Sequence, residues 1–136
     1  MEVYRDIGLI LLRLGTGASM LIFHGYAKIT GGTAVWEKLG ANMSIVGIDF
    51  LPVLWGFMAA FSESVCSLMI MLGILFRPAA LLLAFTMFIA IVKHLTLLPG
   101  APGAGWSGAS HAIELFVVYM GLFFLGPGRY IVTIKK

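Results

Sequence analysis

Four long apolar runs decide what this chain can fold into. They extend from about Ile7 to Ile29, Leu51 to Leu75, Pro78 to Leu98 and Gly108 to Leu125. A bilayer core of about 30 Å takes roughly 20 helical residues to cross, and each run approaches or exceeds that length. Backbone N–H and C=O groups in lipid find no water, so a crossing segment is either a helix or part of a closed barrel. Barrel strands alternate in polarity, and these runs do not. The sequence predicts an all-α integral membrane four-helix bundle, antiparallel, with both termini on the same side. Residues 1–136 form a single transmembrane domain.

Composition leaves no room for a soluble domain besides. The chain is 60% hydrophobic and 11% charged, where soluble domains average roughly 45–50% and 25%. The net charge of +3 does not argue for nucleic acid, because the basic residues sit at the ends of the apolar runs, where they meet lipid headgroups. Cys66 is the only cysteine, which excludes an intramolecular disulfide and a C-x-x-C redox pair. The first run is interrupted by Arg13 and lacks a small-x-small cleavage site, so it reads as a retained span rather than a signal peptide.

Local breakers punctuate the runs. Gly31-Gly32 ends the first, Pro52 suits the first turn of the second, and Phe76-Arg77-Pro78 reads as a very short connection between the second and third. Pro99-Gly100-Ala101-Pro102-Gly103 ends the third, and Gly126-Pro127-Gly128-Arg129 stops the fourth. The longest connection, 31–50, contains the amphipathic Trp36-Glu37-Lys38-Leu39, read as a short helix lying at the interface. The terminal side carries Arg5, Arg77, Arg129, Lys135 and Lys136, and the other side Lys28, Lys38 and Lys93. By the positive-inside rule the termini are expected in the cytoplasm.

Ionisable residues inside spans point to function, because each costs roughly 2.5–3.5 kcal/mol on insertion scales and normally faces the bundle interior with a partner. Arg13, Gly17, Met20, His24 and Lys28 form one stripe on the first helix. Gly56, Ala60, Glu63, Ser67 and Ile70 form a stripe of mostly small or polar residues on the second, with Glu63 at mid-span. Ala80, Leu83, Met87, Ala90 and His94 share a face of the third, and His111, Glu114, Val118, Gly121 and Leu125 a face of the fourth. His24, Lys28, Glu63, Lys93, His94, His111 and Glu114 all fall between the bilayer centre and the side away from the termini, so a compact bundle would let them line one polar cavity. The structural alternatives are plain. Glu63 is also a candidate ion-pair partner for Arg13 or another base, the lysines are candidate snorkellers, and His111 a candidate cap for the fourth helix. A metal centre is not expected: di-iron bundles repeat Glu-x-x-His pairs, and here one pair, His111-x-x-Glu114, stands in reverse order.

The short motifs Arg13-Leu14-Gly15, His24-Gly25-Tyr26-Ala27-Lys28, Glu63, Leu72 through Ala80, Met87, His94, Glu114 and Gly126-Pro127-Gly128-Arg129 resemble the DoxX family in order and spacing, from about residue 7 to residue 130. Tyr26-Ala27 replaces a more usual polar pair, and the resemblance gives no reading for Trp106 and Ser107. The resemblance implies a small four-helix protein of the bacterial cytoplasmic membrane, acting as the membrane subunit of an oxidoreductase complex whose partner protein brings electrons or a sulfur substrate. A quinone headgroup is the expected ligand, bound through Arg13, His24, Lys28, His94 and His111, with Glu63 and Glu114 exchanging protons. Two readings from other classes stand beside it: a scaffold whose polar stripes are structural, and a transporter of a small lipid-like molecule, which would require a homo-oligomer.

Overall fold

The structure, a computed structural model, describes residues 2–132. Lys135 and Lys136, counted above for orientation, lie outside them. Four helices are long and apolar enough to span a membrane: Glu2–Thr30, Pro52–Leu72, Phe76–Thr96 and Gly105–Leu125. No strand occurs among the described residues. The third and fourth spans form the tightest pair, and the second packs between the first and the third. Both described ends meet at one end of the bundle, where Arg129 pairs with Glu2.

The boundaries differ from the sequence expectation for identifiable reasons. The first span begins at Glu2 rather than near residue 7, because the polar opening turn continues the helix into its apolar part. The second ends at Leu72, and Gly73 caps it in the left-handed conformation (φ 75°). The tight connection is thus Gly73-Ile74-Leu75, and Phe76, Arg77 and Pro78 open the third helix, where a proline costs no hydrogen bond. The fourth span starts at Gly105, so His111 lies well inside it and does not cap it.

Two spans contain a wide π turn, Leu21–Gly25 in the first and Ser62–Cys66 in the second. Such turns leave carbonyls without their usual partners. Serines fill part of that gap in the second span: Ser67 Oγ donates to Glu63 O at 2.9 Å, and Ser64 Oγ to Ala60 O at 2.6 Å. The two π turns face each other, and Gly25 lies backbone to backbone against Glu63 and Ser64, where any Cβ would collide.

The 31–50 connection carries a helix, Gly32–Gly40, followed by a 3-10 segment, Ala41–Val46. This helix packs into the bundle instead of lying free along the interface. Gly40 rests on the Pro52 backbone and Gly56 on the Trp36 backbone, so two glycines allow a closer approach than side chains would permit. The Trp36 ring meets Phe57 edge-on at 5.0 Å, and its indole N–H donates to Lys28 O at 2.9 Å.

Arg13 ties the terminal end together. The last four carbonyls of a helix have no partner within it. In the second span Met69 O accepts from Ile74 N, Leu72 O from Val132 N, and Ile70 O from both Gly73 N and Arg13 Nε. Met71 O accepts from Arg13 Nη2 at 2.8 Å. Arg13 Nη1 donates onward to Pro127 O and Tyr130 O, each at 2.7 Å. The guanidinium therefore caps the second span and holds the segment after the fourth against it. Gly73 serves twice here, because a Cβ would stand 2.8 Å from Arg13 Nη2.

Candidate functional site

At the end of the bundle away from the termini, the four spans and the 31–50 connection enclose a cavity of about 380 Å³, within the range of roughly 300–1,000 Å³ typical of small-molecule sites. Its walls are mostly apolar and rich in methionine, with Met20, Met43, Met58 and Met87 among them. The polar groups come from every span: His24 and Lys28 from the first, Glu63 from the second, Lys93 and His94 from the third, and His111 from the fourth.

Lys28 Nζ donates to Glu63 Oε2, and the carboxylate is 5% exposed. The geometry comes from the π turns, which bring the first and second spans into backbone contact at Gly25 one turn before Lys28. Glu63 thus takes its cation from Lys28 and not from Arg13. The His24 and His111 rings approach to 5.8 Å between centroids, tilted by 30°. His94 Nδ1–H donates to Gly103 O at 2.6 Å, which anchors the imidazole to the loop and turns its other nitrogen away from that bond. Thr86 Oγ1 donates to Ser62 Oγ at 3.0 Å beside the cavity wall.

Two lining groups are left over. Trp55 Nε1 is buried with no acceptor, and burying an unsatisfied donor costs about 1–3 kcal/mol. Lys93 lines the cavity with no carboxylate within ion-pair distance among the described residues. Sequence reasoning did not single out Trp55, whose signal was only an aromatic near the start of a span. It also missed Asn42 and Met43, which reach the cavity from the 3-10 segment.

Two of the expected site residues lie elsewhere. Arg13 belongs to the clamp at the terminal end. Glu114 is exposed, and the inward face of the fourth span is Ala109, Ala112, Tyr119 and Leu122, rotated away from the His111–Glu114 stripe. His111 reaches the cavity from the edge of that stripe. Among the described residues, no three His, Cys, Asp or Glu side chains converge as a metal site.

A family model described as DoxX matches residues 8–95. This is well over half of the chain, and the protein belongs to the DoxX family. The match takes in Arg13, His24, Lys28, Glu63, Lys93 and His94, whereas His111, Glu114 and Gly126 through Arg129 lie beyond it. Comparison with curated proteins and with solved structures returned no match.

Proposed function

We propose that this DoxX-family chain is the membrane subunit of an oxidoreductase complex in the bacterial cytoplasmic membrane, with its termini in the cytoplasm, and that its cavity binds a quinone headgroup. The observation that carries the reading is the Lys28–Glu63 pair set in the wall of an apolar cavity with two unpartnered donors. A sealed ion pair would favour a scaffold; a pair beside a cavity of ligand size favours binding.

The donor set suits a quinone. Its ring packs against methionine and aliphatic walls, and its oxygens accept hydrogen bonds from groups such as Trp55 N–H and the Lys93 ammonium. When bound, a quinone supplies reversible two-electron chemistry accompanied by protons. The chain's own part is to orient the ring, exclude water and hold a proton. Glu63, paired with Lys28 in the cavity wall, is the group proposed to exchange that proton. Glu114, outside the cavity, takes no part. The electrons come from a partner protein, and the exposed Glu114 supports such a partner, since a carboxylate on a spanning helix is costly when it faces lipid alone.

Tryptophan fluorescence tests the reading. Titration of the purified protein with a short-chain quinone analogue is expected to give saturable quenching that largely disappears in Trp55→Phe and in the cavity-filling Ala90→Phe. Quenching that is linear in added quinone, or unchanged in both variants, would remove the cavity as the binding site.

A further inference from the structure

The charges lining the cavity do not balance. Lys28 and Glu63 neutralise each other. The histidines are neutral or cationic, never anionic. Lys93, a half-buried residue of the cavity lining, then has no carboxylate partner among the described residues. The other unsatisfied group, Trp55 Nε1, is a donor that cannot accept. A cavity at the edge of a low-dielectric bundle, with one spare cation and one spare donor, favours an occupant that supplies negative charge and acceptor oxygens. The remaining walls are apolar, with Leu82, Phe85 and Ile89 facing the same space as the methionines, so the occupant also needs a hydrophobic body.

We propose that the cavity takes its ligand as an amphiphilic monoanion, an ionised oxygen on an apolar body, with Lys93 as its counter-ion and the Trp55 indole as a further donor. The proposal rests on the ligand-cavity reading and narrows it: a ring compound carrying an ionised hydroxyl, or a fatty carboxylate, is preferred over a neutral molecule of the same shape.

The test compares three probes in detergent at neutral pH, with affinities corrected for partition into micelles. They are a 2-hydroxy-3-alkyl-1,4-naphthoquinone, ionised under these conditions, its neutral 2-methoxy counterpart, and dodecanoate. In the unmodified protein the ionised naphthoquinone is expected to bind at least about tenfold more tightly than the methoxy compound. Lys93→Met is expected to erase that gap, and Lys93→Arg to keep it. Equal affinity of the two naphthoquinones in the unmodified protein would overturn the anion preference and leave the quinone cavity standing. Dodecanoate binding that depends on Lys93, with neither naphthoquinone bound, would uphold the anion site and refute the quinone reading. Binding of none of the three would refute both.

Discussion

Replacing Arg13 should unfasten the terminal end of the bundle. Its guanidinium makes four hydrogen bonds to main-chain carbonyls of two separate segments, between 2.7 and 2.9 Å. Hydrogen bonds to a charged group are each worth about 1.5–3 kcal/mol net, so four of them set a ceiling of about 6–12 kcal/mol. Part of this is recovered when water reaches carbonyls near the bundle's end. Removing one partner from a buried charged network typically costs about 3–5 kcal/mol, and that is the expected loss for Arg13→Met. Taking about 3 °C of thermal midpoint per kcal/mol for a chain of this size, the midpoint should fall by about 10 °C or more. Arg13→Lys keeps the charge but loses the planar fork that serves both segments, and should fall between the two. Cys66, buried at 1% exposure, provides the assay: a thiol-reactive fluorophore labels it only as the bundle opens. A midpoint for Arg13→Met within about 2 °C of the unmodified protein would refute the clamp.

Other consequences follow from the same contacts. Gly25→Ala puts a methyl into the Glu63 backbone, so it should separate the first two spans, lower the midpoint and weaken ligand binding together; a variant normal in both would contradict the close approach. Glu63→Leu alone should be strongly destabilising, whereas Lys28→Met with Glu63→Leu should restore most of the loss, as for other buried pairs replaced together; additive losses in the labelling assay would argue against a coupled pair. Glu114→Leu should leave the isolated chain as stable as before or more so, because it removes an outward-facing carboxylate from a span, and should weaken recovery of any partner protein. A fall in stability of the isolated chain would show that Glu114 is held within its own bundle.

The parts of the structure legible in the sequence were those governed by long apolar runs. Length and hydropathy located four spans, and Gly31-Gly32, Pro52 and the Pro99–Gly103 segment marked breaks close to those observed. The grouping of His24, Lys28, Glu63, Lys93, His94 and His111 around one cavity followed from depth along antiparallel helices, which chain order alone supplies. Rotation about each helix was harder to read. The fourth span is apolar nearly all round, so its sequence does not distinguish the face bearing Tyr119 from the one bearing Glu114, and the wrong face was expected to point inward. Arg13 shared a stripe with His24 and Lys28, but its partners are carbonyls at residues 70, 71, 127 and 130, and a sequence carries no mark of an unpaired carbonyl. The π turns are likewise invisible to a 3.6-residue periodicity, although the closely spaced Ser62, Ser64 and Ser67 carry the hydroxyls that bond around the second one.

The central claim is that the cavity beside the Lys28–Glu63 pair holds a quinone, and native mass spectrometry of the protein released gently from its own membrane tests it most directly. The account predicts about one quinone retained per chain, lost in Ala90→Phe while the Cys66 labelling midpoint stays unchanged. A spectrum showing only ordinary phospholipid, identical in the two proteins, would contradict it.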